Sequence, residues 1–142
     1  MADEAPRKLK KLIPKSDKKE AIRVLYVEDA AVIRDTIVRL LELKGYTVNH
    51  AKNGKEGVEL ALSWHPHVIL MDLRMPIMDG YKAISEIKAN PQTRNLPVFV
   101  ISAWSSKKER TQAKLAGADE FFVKPPDLDR LTEAIDRAAA QV

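Results

Sequence analysis

The chain contains no cysteine. Disulfides, thiolate metal sites and cysteine nucleophiles are thereby excluded together. Long apolar runs are missing too. The longest, such as 68–71 and 98–101, fall far short of the roughly 18 residues a membrane helix needs. The N-terminus is charged and holds no apolar signal core, so neither a secretory leader nor a membrane association is expected. Histidine is scarce: His50, His65 and His67 are scattered without zinc spacing, and His67 reads as a structural residue at the start of a strand. Aromatics make up 6% of the chain, and none falls in residues 1–20, so that basic segment offers no stacking platform for bases.

The remaining composition is that of a globular domain. Its 142 residues suffice for one hydrophobic core. Hydrophobic residues at 45% and charged residues at 31% are an ordinary soluble balance. The net charge of +4 is unevenly placed. Residues 1–20 hold seven basic and four acidic side chains, so three of the four charges belong to this segment. It reads as a solvated, disordered leader, with residues 21–142 as the domain. A nucleic-acid role for the leader is not expected, and would show as salt-sensitive binding lost on its removal.

From residue 21 onward, short β-rich runs alternate with helical periodicity. Strands are expected at 22–27, 46–50, 67–71, 97–102 and 120–123. Helices are expected at 30–44, 55–64, 79–89, 106–116 and 128–140. Gly45 and Gly117 stand where C-terminal caps belong, and Asn53-Gly54 reads as a turn. Alternating strands and helices predict an α/β fold with a parallel sheet covered on both faces.

Open parallel sheets place their sites at the carboxyl ends of the strands, near a switch point. The expected strands end at or just before Glu28-Asp29, Asp72, Ser102 and Lys124. Each residue alone has an ordinary reading: Asp29 could cap the first helix, Ser102 could satisfy a turn, Lys124 could be solvated. Three carboxylates, a hydroxyl and an ammonium on one edge carry an inference that none carries alone. Adjacent carboxylates raise one another's pKa, and a hard divalent cation removes the repulsion. Mg²⁺, which takes oxygen ligands and keeps several waters, suits the set.

The run VILMDLRMPIMDG at 68–80 resembles the phosphoacceptor segment of two-component response regulator receiver domains. So do Glu28-Asp29, Ser102-Ala103, Ala116-Gly117-Ala118 and Lys124-Pro125 at their positions. The resemblance extends from residue 22 to about 140. It implies a flavodoxin-like, doubly wound five-stranded sheet of order 2-1-3-4-5 with five helices. It implies Asp72 as phosphoacceptor, taking its phosphoryl group from a histidine kinase or histidine phosphotransfer protein. Mg²⁺ would be bound by Glu28, Asp29, Asp72 and the backbone carbonyl of Arg74. Ser102 and Lys124 would contact the phosphoryl oxygens, and Lys124-Pro125 would be cis. Ser102 and Phe121 would form a switch that alters the surface of the fourth helix, fifth strand and fifth helix for a downstream protein target. A cytoplasmic monomer or weak homodimer, with no enzymatic activity beyond its own phosphorylation and slow dephosphorylation, completes the implied picture.

Several positions depart from the commonest pattern. Phe121 lacks the hydroxyl of the more frequent Tyr, and could be a plain core residue. Glu28 stands in place of Asp, and Ser102 in place of Thr. Arg74 and Trp104 occupy positions that, by the resemblance, modulate phosphoryl lifetime; Trp104 could instead be an anchor for a partner. The competing readings are an unphosphorylated interaction module and a metal-dependent hydrolase using Asp72. The hydrolase would need an acid two residues after Asp72, where Arg74 stands.

Overall fold

The computed structural model describes residues 22–141. The segment 1–20, read as a disordered leader, lies outside the described residues. Five strands alternate with five helices: β1 (Arg23–Val27), α1 (Ala31–Leu43), β2 (Thr47–Ala51), α2 (Gly54–Ser63), β3 (Val68–Met71), α3 (Gly80–Ala89), β4 (Val98–Ser102), α4 (Lys107–Ala116), β5 (Glu120–Val123) and α5 (Leu128–Ala140). All pairings are parallel, and the order is β2-β1-β3-β4-β5. The chain thus reverses direction across the sheet between β1 and β3, which opens a crevice at their carboxyl ends.

The sheet is sealed on both faces because side chains alternate along each strand. Leu25, Val27, Ile69, Met71, Val98 and Val100 pack toward α2, α3 and α4 with Ala61, Ile84, Ile87 and Ala113. Val24, Tyr26, Val68, Leu70, Phe99 and Ile101 pack on the other face against Ile37 and Leu41 of α1 and Leu131 and Ile135 of α5. Each buried Val, Leu, Ile, Met or Phe among them contributes about 1.5–3 kcal/mol through its removal from water. β1 is buried apart from Arg23, and β3 and β4 are buried throughout. The edge strands β2 and β5 are mostly half-exposed or exposed.

Helix ends follow local chemistry. Asp79, Ser106 and Asp127 cap α3, α4 and α5, each accepting from a backbone N–H of the first turn. Asn53 does the same for α2, accepting from the Glu56 N–H at 2.9 Å. Asn53-Gly54 is therefore a helix start and not a free turn: the amide satisfies an orphan N–H that a turn would leave to water. Asp29 does not cap α1, which has no side-chain cap.

The loop from β3 to α3 is held close to the sheet edge. The Gly80 N–H donates to the Leu73 carbonyl at 2.9 Å, and the Gly54 N–H donates to the Met78 carbonyl at 3.0 Å. A Cβ on Gly80 would lie 2.1 Å from the Asp72 carbonyl oxygen and 2.8 Å from the Leu73 Cα. These are backbone atoms and have no rotamer by which to yield. Gly80→Ala is expected to cost about 2–3 kcal/mol of stability, measured by urea unfolding, and to displace the backbone that carries Asp72.

Candidate functional site

Side-chain parity gathers the site. On β1, Val24 and Tyr26 face α1 and α5, so Glu28, one step past the strand, continues that face. Val68 and Leu70 on β3 lead in the same way to Asp72, and Phe122 on β5 leads to Lys124. Register brings Val27 beside Met71, and hence Glu28 beside Asp72. Ser102 has the opposite parity: it follows Val100, whose register partner is Phe121. The hydroxyl therefore sits on the α4 side of the edge, together with Phe121.

Lys124 bridges two carboxylates. Its Nζ donates to Glu28 Oε1 in a short contact and lies 3.3 Å from Asp72 Oδ2. Glu28 is fully buried and further accepts from the Tyr26 hydroxyl at 3.2 Å and the Ala30 N–H at 3.1 Å. Asp72 is 6% exposed, and its Oδ1 accepts from the Leu73 N–H at 2.8 Å. The exposed Asp29 completes a trio whose carboxylate oxygens lie within 4.8 Å of one another.

The charges of this cluster divide unequally. Burial pushes the Asp72 carboxyl up to about 6, and the neighbouring Glu28 charge adds to the rise. Burial also opposes ionisation of Glu28, but hydrogen bonds from Lys124 and the Ala30 N–H outweigh it and hold Glu28 below the usual carboxylate range. Lys124 loses solvation on burial, yet the Glu28 hydrogen bond and the Asp72 charge hold its pKa above that of an ordinary lysine. Burial, followed by the Glu28 charge, raises the Tyr26 hydroxyl far out of the physiological range, so it is only a donor to Glu28.

Around this cluster lies a second set of contacts. Ser102 is fully buried, and its Oγ accepts from the Trp104 N–H at 3.0 Å. The Arg74 guanidinium lies 4.3 Å above the Trp104 ring and 3.7 Å from Glu109 on α4. The Tyr81 hydroxyl donates to the other Glu109 oxygen at 2.7 Å. Phe121 is half-buried beneath the Arg110 guanidinium, 4.9 Å away. The Lys124–Pro125 peptide bond is cis. Ile77, in the loop after β3, has a φ of 70° and is exposed. A β-branched residue there stores about 1–3 kcal/mol of strain beside the site.

The folded chain brings the expected site residues Glu28, Asp29, Asp72, Ser102 and Lys124 to one edge of the sheet. Tyr26, Tyr81 and Glu109 join them although no motif marks them. Tyr26 had a signal, since residues two apart on a strand share a face. Tyr81 and Glu109 had none, because they meet only when α3 and α4 pack.

An open sheet with a crevice of ionisable groups at its switch point puts the chain among the doubly wound α/β domains. Its sequence matches the family model for the response regulator receiver domain over residues 24–136, and the chain belongs to that family. It is 37% identical over 131 residues to the transcriptional regulatory protein PdtaR of Mycobacterium tuberculosis, covering 90% of this chain and 62% of PdtaR. It is 36% identical over 116 residues to the regulatory protein AtoC of Escherichia coli, covering 82% of this chain and 25% of AtoC. The chain therefore spans less than two thirds of either curated relative. Among solved structures, it superposes with a TM-score of 0.78 and 30% identity on the receiver domain of the sensor histidine kinase PA1611 of Pseudomonas aeruginosa. That match covers 84% of this chain and 98% of the other, whose active site cleft holds a coordinated magnesium ion.

Membership implies phosphorylation-based signalling in two-component systems. Domains of this family interact with histidine kinases and downstream targets, and typically bind Mg²⁺ at an acidic pocket. No helix among the described residues is long and apolar enough to cross a membrane.

Proposed function

We propose that residues 21–142 form a phosphorylation-controlled switch that accepts a phosphoryl group on Asp72. The observation that carries this reading is the bridged cluster: a buried Asp72 beside an ionised Glu28, with Lys124 spanning both and Asp29 at the open side. The donor would be a phosphohistidine of a kinase or phosphotransfer protein. A P–O bond forms to an Asp72 carboxylate oxygen while the P–N bond to the imidazole breaks. Of the two oxygens, Oδ1 is held by the Leu73 N–H, and Oδ2 faces Lys124.

The donor set fits a hard divalent cation: three carboxylates, all oxygen, gathered within coordinating reach of one another. Glu28, Asp29 and Asp72 would hold Mg²⁺, with the Arg74 carbonyl as a further ligand. When bound, the ion supplies positive charge against the phosphoryl oxygens. Lys124 does the same from the β5 side, since phosphoryl transfer rests mainly on positioning and charge.

Modification of Asp72 brings new acceptor oxygens. The Ser102 hydroxyl, which accepts from the Trp104 N–H, keeps its own hydrogen to donate and stands at the carboxyl end of β4 on the α4 side of the edge. Its movement toward the phosphoryl group would leave space on the face it shares with Phe121, and would bias α4, β5 and α5 toward a second arrangement. Arg74 and Trp104, each two residues beyond a site residue, would limit access of water to the acyl phosphate. The expected protein is a signalling regulator, monomeric or weakly dimeric, that acts on a downstream protein target.

Intact mass after incubation with acetyl phosphate tests the reading. One phosphoryl adduct that requires Mg²⁺, and is absent from Asp72→Asn, is the expected result. Absence of the adduct from the wild-type chain with every small phosphodonor would favour an unphosphorylated interaction module.

A further inference from the structure

We propose that Arg74 is held by Glu109 in the resting protein and exchanges that carboxylate for the phosphoryl oxygens once Asp72 is modified. Glu109 is then a positioning residue that couples the docking of α4 to the chemistry at Asp72. This rests on Asp72 being the phosphoacceptor.

The argument begins with α4 itself. It buries a single side chain, Ala113, whereas α3 buries Gly80, Ala83, Ile84 and Ile87. Apolar packing therefore holds α4 weakly, and polar contacts near its first turn carry more of its attachment. Two of these converge on Glu109: the hydroxyl of Tyr81 from α3 at 2.7 Å, and the guanidinium of Arg74 from the β3–α3 loop at 3.7 Å. The side chain of Glu109 is 15% exposed, while that of Arg74 is 57% exposed. Glu109 is thus the more buried partner, held also by Tyr81, and Arg74 is the more exposed one.

Arg74 stands two residues after Asp72. Covalent geometry keeps their Cα atoms within about 7 Å, a span an arginine side chain can cover. Arg74 borders solvent and a water-accessible space of about 390 Å³ that it shares with Tyr81, Lys108 and Glu109, so no tight packing encloses the guanidinium. The two claims on Arg74 are unequal. Glu109 offers one negative charge in a long ion pair. A phosphoryl group offers nearly two charges and oxygens that match the guanidinium fork. The stack on Trp104 lies next to Ser102 through the Trp104 N–H, so a shift of Ser102 would loosen the resting position of Arg74 from its other side.

Linkage makes the exchange testable, because whatever stabilises the resting contact opposes the modified state by the same factor. The probe is beryllium trifluoride with Mg²⁺, a mimic of the phosphoryl group, titrated onto the full chain. Glu109→Gln keeps an acceptor for Tyr81 and removes the competing charge. It is expected to lower the half-saturating fluoroberyllate concentration about two- to fivefold. Arg74→Ala removes the transferred group and is expected to raise that concentration. Both variants should speed amide hydrogen exchange in the first turn of α4 in the resting protein. Affinities that move in the same direction, or no change in Glu109→Gln, would overturn the exchange. A wild-type chain that binds no fluoroberyllate would overturn the function proposed above, and this inference with it.

Discussion

Asp72→Asn is expected to raise the melting temperature of the metal-free protein by about 5–10 °C at neutral pH, while abolishing the phosphoryl adduct. The proposed phosphoacceptor is then also a liability of the fold. Its carboxyl is buried beside an ionised Glu28, and its pKa of about 6 stands above the ordinary aspartate value of 3.8. An acid raised in this way stabilises the folded state fully below its unfolded pKa. That contribution is lost as pH rises through about 6. A shift of roughly two units corresponds to at most about 3 kcal/mol, and the Lys124 contact already offsets part of it. Asparagine keeps the acceptor for the Leu73 N–H and removes the charge. Thermal melts of both proteins from pH 4 to pH 8 check the sign. The gain should be absent near pH 4 and complete above pH 7. Added Mg²⁺ should narrow it, because only the wild type recovers by binding the ion with its full carboxylate set. A gain independent of pH would mean that charge repulsion is not its source.

Lys124→Ala should act in the opposite direction, costing about 2–4 kcal/mol in the absence of metal. Lys124 is the only cation placed by an ion pair against Glu28 and Asp72 among the described residues. Removing one partner of a buried pair leaves the other charge uncompensated, which costs more than the pair itself contributes. The folded protein would respond by binding protons more tightly at Asp72. Urea unfolding at pH 7 should therefore show the full loss, and unfolding near pH 5 a smaller one. Mg²⁺ should stabilise this variant more than it stabilises the wild type, since the ion and the ammonium neutralise the same two carboxylates. Equal stabilisation of the two proteins would place the ion elsewhere.

The two variants also show what could be read before folding. Each strand was legible as a short apolar run, and each helix as a 3.6-residue period. The carboxylates, Ser102 and Lys124 stood at the ends of those runs in an order that marked the family. Parallel pairing followed from the alternation alone, since parallel strands need a crossover. The alternation of side chains even carries the reason why Glu28, Asp72 and Lys124 share one face and Ser102 the other. At Asn53-Gly54 an amide before glycine suits a turn and a helix cap equally, and only the folded chain shows Asn53 as the cap of the helix that starts at Gly54.

Tertiary structure decided matters that depend on distance across the fold. The order of the sheet put β5 beside β4, which let Lys124 reach back to Glu28, 96 residues earlier. Burial raised the Asp72 carboxyl, while hydrogen bonds from Lys124 and the Ala30 N–H outweighed burial and lowered that of Glu28, though both are ordinary carboxylic acids in the chain. Packing of α3 against α4 joined Tyr81 to Glu109, and Glu109 to Arg74. Local pattern records which way a side chain faces, because that is set by a period of two or 3.6 residues. Which charges meet, and in what dielectric, is set only when distant segments close on one another.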